Sequence, residues 1–194
     1  MKKNSGGLIL QSIRKAHGLS QYEMALKGKT FQANVSSIES GKTDPGISTL
    51  ETFIAPLGYS LIAIPTTASS AARLSLAIAV AVSEKNFTRA SRLCIQLNDN
   101  LMDSRPEVVS ALCIEAPALT GDQRYDALIA GICEYRLALN KLPFPAWILE
   151  STRKLDSEWI VDKYEKDPIA IRSRTPIALQ NHNVLMDETE FASV

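Results

Sequence analysis

Apolar residues recur at helical spacing along most of this chain. Ile9, Leu10, Ile13 and Ala16 predict a first helix over residues 8–17, closed by Gly18. Residues 19–41, LSQYEMALKGKTFQANVSSIESG, then predict two short helices with a tight turn between them. Ser20 suits the cap of the first, and Glu23 three residues on completes a capping box; Met24 and Ala25 face inward. Gly28-Lys29-Thr30 breaks the pattern. It resumes from Gln32 to about Ser40, with Val35 and Ile38 inward, and stops at Gly41 in a C′ position. Beyond the Asp44-Pro45-Gly46 turn, Leu50, Phe53, Ile54 and Leu57 mark a fourth helix that holds Pro56 near its end and stops at Gly58.

Residues 59–65, YSLIAIP, differ in kind: Leu61, Ile62 and Ile64 suit a strand that Pro65 ends. A single strand leaves its backbone unpaired, and a second copy of the same strand in a homodimer is the simplest partner. Thr66-Thr67-Ala68-Ser69-Ser70 reads as a joint, which divides the chain into residues 1–66 and 67–194. Four helices follow over residues 68–141. One covers about 71–84, and one carries Phe87, Ala90, Cys94, Leu97 and Leu101 as a stripe capped by Asn86 or Thr88. Another opens at Pro106 with Val108, Val109, Leu112 and Cys113 inward. Asp122 caps the longest, whose stripe is Tyr125, Leu128, Ile129, Ile132 and Leu139. Short loops between them predict a helical bundle. Residues 143–147, PFPAW, are an extended entry to a helical turn, and Leu155 and Trp159 add bulk. After the polar segment 162–167, apolar residues are scattered without period, so residues 160–194 read as loosely structured and docking on a partner. The fold class is mainly α: a helix-turn-helix domain, a short strand, then a helical domain.

Composition narrows the function. With 194 residues, 45% hydrophobic and 22% charged, the chain is an ordinary globular protein. Its most apolar run, residues 74–82, is about half a membrane span and lies beside Arg73, so it is a core helix. Met1-Lys2-Lys3 leads into Asn-Ser-Gly-Gly and not into an apolar leader. Cys94, Cys113 and Cys133 form no CxxC pair and sit on apolar helical faces, which points to buried free thiols and a reducing cytoplasm. Net charge is zero, yet residues 1–66 hold seven Lys or Arg, Lys2 and Lys3 among them, against four acids. A mildly basic head suits a phosphate backbone. His17 and His182 have no Cys, Asp or Glu at ligand or triad spacing, and no phosphate loop or nucleophile elbow occurs. Carboxylates read as solvated on helix surfaces. No enzyme, metal or cofactor is expected.

Two helices joined by so short a turn form a helix-turn-helix, which lays its second helix in the major groove of DNA. Arg14, Leu19-Ser20-Gln21, Ala25, Gln32, Ser36 and Ile38-Glu39-Ser40-Gly41-Lys42, followed by Pro45 and Leu50, resemble the Cro/CI-type (XRE) repressor family over about residues 7–60. The resemblance implies that Gln32 opens the recognition helix, where its amide suits bidentate contact with adenine. Ala33 and Ser37 hold neighbouring base-facing positions, with Ala33 suited to a thymine methyl, and Asn34 and Ser36 reach bases or phosphate. Gln21 matches a phosphate-gripping position, through its amide and the positive helix end. Lys42 and the N–H groups beside Gly41 are further phosphate candidates. The plainer alternative is that these side chains are the solvated face of a helix. Arg14 and Glu39 match a structural ion pair, worth about 1 kcal/mol if partly exposed. The chain departs from the pattern where Gly28 replaces a leucine, Lys29 the turn glycine and Phe31 a small capping residue, which leaves Thr30 as an alternative cap.

Residues 111–115 (ALCIE), 121–126 (GDQRYD) and 143–147, with Arg174-Thr175-Pro176 and Leu185-Met186-Asp187-Glu188, resemble the C-terminal domain of antitoxins paired with nucleotidyltransferase-type (AbiE-like) toxins. That resemblance implies an operator-binding head and a toxin-binding second half, with Trp147 and Trp159 as candidate partner contacts. Those tryptophans equally suit the domain's own core. The other readings are a ligand-responsive regulator with a pocket among the helices and a stand-alone regulator whose second half only dimerises.

Overall fold

Left-handed residues end helix after helix in the first part of the chain. The computed structural model describes residues 5–162, 164–165 and 167–191. Lys2 and Lys3 of the basic head, with the start of the run read as no leader, lie outside those residues, as do Lys163, Lys166 and the last three positions of the tail. The chain divides into two compact units, Met1–Ile64 and Pro65–Val194. In the first, α1 (Ser5–Ala16), α2 (Gln21–Lys27), α3 (Gln32–Glu39) and α4 (Ile47–Ile54) are followed by a 3-10 turn, Ala55–Leu57. Gly18, Lys29, Gly41 and Gly58 all have positive φ just past a helix end. At each, its own N–H and the next reach back to carbonyls the helix leaves open, as in Thr30 N to Ala25 O at 2.9 Å and Lys42 N to Ser37 O at 2.9 Å. The capping box of Ser20 and Glu23 forms as expected.

The helices close on Leu10, Met24, Val35, Ile38, Phe53 and Ile54, none more than 2% exposed. The first helix begins three residues earlier than its apolar pattern. Gly6 makes this possible, because a Cβ there would lie 2.7 Å from Pro45 Cγ. The unusual turn also has a cause in packing. A Cβ on Gly28 would lie 2.1 Å from Phe53 Cε1, so the ring fills the space in which the family pattern has a leucine. Lys29 takes the left-handed position, with φ of +50°. Phe31, not Thr30, is the N-cap of α3, and Thr30 Oγ1 instead accepts from Asn34 Nδ2 at 3.2 Å.

The strand expected at residues 59–65 does not form. A strand exists through its ladder, and within one chain this segment has none; Leu61 packs against the core while Ile62 is 79% exposed.

The second unit is built around α8 (Gln123–Leu139), with α5 (Ala71–Ser83), α6 (Phe87–Met102) and α7 (Pro106–Ile114). Ser70, Asn86 and Asp122 cap α5, α6 and α8 through their side chains, so Asn86 and not Thr88 is the cap of α6. The α8 helix is not amphipathic: residues 125–134 are buried all round, while Leu139 and, on α6, Phe87 are exposed against expectation. Gly131 admits α10 (Ile177–Asn181), since a Cβ there would stand 3.3 Å from Leu179 Cα.

The tail is ordered where it was expected to be loose. Two 3-10 turns, Ala146–Leu149 and Ser151–Arg153, lead to β1 (Trp159–Ile160), which pairs in parallel with β2 (Val184–Leu185), Trp159 opposite Val184. Between them lie α9 (Pro168–Arg174) and α10. Ile171, Leu179, Val184, Leu185 and Met186 are buried. These pieces are two to seven residues long, too short to show a period. Buried polar groups fasten them. His182 sets Nε2 2.8 Å from Glu134 Oε2 and Nδ1 2.6 Å from the Arg153 carbonyl. Asn181 donates to the other Glu134 oxygen at 2.6 Å. Arg153 donates to the Pro117 carbonyl and lies 3.6 Å from Asp126, whose carboxyl burial pushes up against the pull of Thr120 and Arg153. Asp126 and Glu134 are therefore exceptions to the reading of solvated carboxylates. The three cysteines are buried free thiols. Trp147 is core, 4% exposed, with Nε1 donating to the Cys113 carbonyl at 2.9 Å. It fills the domain's own core, as the alternative reading has it. Trp159 is half-buried, edge-on to Tyr125 and beneath Arg124.

Gly28→Ala tests the turn. At its φ of −81° alanine would ordinarily stabilise slightly, yet the clash with Phe53 reverses the sign and lowers stability by about 2 kcal/mol. Chemical denaturation of Gly28→Ala, Phe53→Leu and the double variant should show the double variant losing less than the sum. Strict additivity would separate the two residues.

Candidate nucleic-acid interface

Glu39 is the last residue of α3 and is 2% exposed. A carboxylate there faces the negative end of its own helix and needs compensation. Arg14 on α1 supplies it in a fork, Nε to Oε1 at 2.6 Å and Nη2 to Oε2 at 2.9 Å, while its Nη1 donates to the Leu19 carbonyl at 2.7 Å. Gln21 at the start of α2 adds a bond from Nε2 to Oε2 at 3.0 Å. Burial works to raise the Glu39 carboxyl, but the hydrogen bonds from Arg14 and Gln21 and the Arg14 charge outweigh it and hold the group below its ordinary range. The ion pair implied by the resemblance is present, and its carboxylate is buried.

This arrangement sorts the candidate DNA contacts. Gln32, Ala33 and Ser36 are exposed on α3, and the Gln32 and Ser36 side chains form no hydrogen bond within the described protein. Gln32 and Ser36 lie one turn apart on the same face of α3, while Val35, Ile38 and Glu39 are its buried positions. Lys42 is exposed and likewise uncommitted. The remaining candidates are partly engaged. Asn34 donates to Thr30, Ser37 Oγ lies 2.7 Å from Thr43 Oγ1, and the Gln21 amide nitrogen is held by Glu39. The N–H groups of Gly41 and Lys42 close the end of α3, so the expected phosphate contact through them is not open. Sequence reasoning passed over Lys27 and Lys29, exposed at and just past the end of α2; their charge beside the turn was the available signal.

The surface offered is one short helix with small side chains around one long amide, beside exposed lysines. It has the donors and acceptors to read base edges and the charge to meet phosphates. Among the described residues no group of His, Cys, Asp and Glu could hold a metal ion, and no helix is long and apolar enough to cross a membrane.

Residues 10–64 match the helix-turn-helix family model, and the match stops where the first unit ends. No curated protein and no solved structure matches the chain. The first unit carries an XRE-type helix-turn-helix, the DNA-binding module of transcriptional regulators.

The depressed Glu39 carboxyl gives a pH signature. Its stabilisation is complete above the unfolded-state value near 4.5 and is lost as pH falls through the lower folded value. Glu39→Gln leaves Arg14 without its counter-charge and should cost about 3 kcal/mol at pH 7. Urea unfolding of the full chain should show that gap narrowing below about pH 4 as the wild-type carboxyl is protonated. A gap that stays constant with pH would show that Glu39 titrates normally.

Proposed function

We propose that this protein is a transcriptional repressor that binds a two-fold operator as a homodimer, with Gln32 as its principal base reader. The observation that carries the reading is the division of polar groups on α3. Glu39, Ser37 and Asn34 are tied into the fold, whereas Gln32 is exposed with its whole amide uncommitted. Ala33, Ser36 and Lys42 complete the contact set, with Gln21, Asn34 and Ser37 contributing the polar atoms that the fold leaves over. Buried free thiols are compatible with a reducing cytoplasm.

Dimer formation rests on residues 59–65. Residues 60–65 belong to no helix or strand and make no backbone N–H hydrogen bond among the described contacts, and Ile62 is exposed. Antiparallel pairing of this segment with its copy would satisfy both backbones at once, and a closed two-fold pair matches a palindromic site.

A ligand-responsive regulator is the second reading. It is favoured by a cavity of about 190 Å³ between α6, α8 and the tail, lined by Cys94, Leu128, Ile132 and Met186 among others. That volume is below the roughly 300–1,000 Å³ of usual ligand sites, and a wider hollow of about 600 Å³ beside Asn100 and Arg105 is open and lined mostly by polar residues, which keeps this reading second. The antitoxin reading loses two of its supports, because Trp147 is core and the tail is packed without a partner.

Gln32→Ala should weaken binding to a selected operator by about 10- to 100-fold while changing affinity for random duplex little. Equal losses on both would remove Gln32 from base reading. For the dimer, sedimentation of the full chain should give a dimer, and Ile62→Lys, which sets like charges across the two-fold, should give a monomer. A monomeric wild type would exclude the paired strand.

A further inference from the structure

We infer that Phe31 is a specificity-determining residue of the recognition helix, reading the methyl group of a thymine beside the base met by Gln32. The inference rests on the DNA-binding reading of the first unit. An aromatic ring is the wrong side chain for the place it occupies. N-cap positions favour Ser, Thr, Asp and Asn, whose oxygens accept from the first helical N–H groups, and Phe31 offers no such bond. Its ring is not recovered by packing. It is 83% exposed, the most exposed large apolar side chain among the described residues, and it enters no aromatic or cation–π contact with them.

The turn does not need the ring either. Its geometry is held by Thr30 N to Ala25 O at 2.9 Å, and Asn34 Nδ2 reaches back across Phe31 to Thr30 Oγ1 at 3.2 Å. The exposed ring stands at the N-terminal end of α3, directly before Gln32 and Ala33, which are exposed as well. The occupant follows from the chemistry of the groove. Every base edge in the major groove is polar except for one apolar group, the C5 methyl of thymine, and phenylalanine is suited to meet it. Gln32 next to it suits adenine, so a short A/T-containing step is the natural partner of this end of α3.

The test removes the methyl alone. Full-length wild type is used to select binding sites from a randomised duplex library, and each thymine of the selected site is then replaced in turn by uracil. At one position beside the adenine read by Gln32, the replacement should weaken wild-type binding about fourfold, the worth of one buried methyl. Phe31→Ser should be insensitive to the same replacement and about tenfold weaker on the thymine site, while folding at least as well because serine restores a cap. Phe31→Leu should retain part of the discrimination. If no position distinguishes wild type from Phe31→Ser, Phe31 is not a base reader and its ring is left to a protein partner. If the wild type selects no site at all, the DNA-binding reading falls and takes this inference with it.

Discussion

A buried carboxylate at the end of the recognition helix is the constraint on which the first unit depends. Glu39 cannot stay charged there alone, because burial and its own helix end both oppose it. Arg14, bonded to Glu39 and to the Leu19 carbonyl, joins the end of α1, the loop before α2 and the end of α3 at one point, and Gln21 adds the start of α2. Four backbone segments thus share one charge cluster. The consequence is angular. Fixing the end of α3 leaves its exposed positions free in sequence, since Gln32, Ala33 and Ser36 take no part in the core.

The second unit solves a similar problem with different groups. Its central helix is buried on all sides, yet it carries Asp126 and Glu134. Each is met from further along the chain: Asp126 by Arg153 of the second 3-10 turn, Glu134 by His182 and Asn181 of the tail. Short segments such as α10 and β2 bury little surface individually and have weak claims to independent order. Hydrogen-bonded charges give them a defined register against α8, and Gly131 lets the backbone of α10 approach closely enough for the contacts to form. Breaking either set would leave a charge buried without its partner, which makes the tail a structural part of this unit.

These features mark where the sequence could be read and where it could not. Helix ends were legible because their signals are local: Ser20 with Glu23, Gly18 and Gly41, Pro106, Asp122. The Arg14–Glu39 pair was available only through a family pattern, since 25 residues separate its members. His182 was passed over for the same physical reason, its carboxylate lying 48 positions away. The identity of Gly28 looked anomalous until Phe53, distant in sequence, was seen to fill its space. Residues 59–65 differ, because their strand was expected to pair with a second copy. Their composition is that of a strand, but composition does not supply a ladder. Of the interface, the exposed positions on α3 were legible, and the internal ties that remove part of Gln21, Asn34 and Ser37 from it were not.

The side chains left free also limit how this surface can discriminate. Ala33, Ser36 and Ser37 are short, so along most of α3 the backbone itself must approach the groove for any contact to form. Long reach is concentrated at one end, in the consecutive and exposed Phe31 and Gln32, one ring and one amide. A reader built this way takes most of its sequence information from two or three adjacent base pairs per copy. Such a short half-site recurs often in any genome, and a single copy would distribute over many of them. Doubling the site through a fixed two-fold spacing is the simplest remedy, since it squares the rarity of the target without adding a contact to either helix. The sparse chemistry of α3 and the unpaired apolar segment after α4 therefore both support the proposed two-fold assembly.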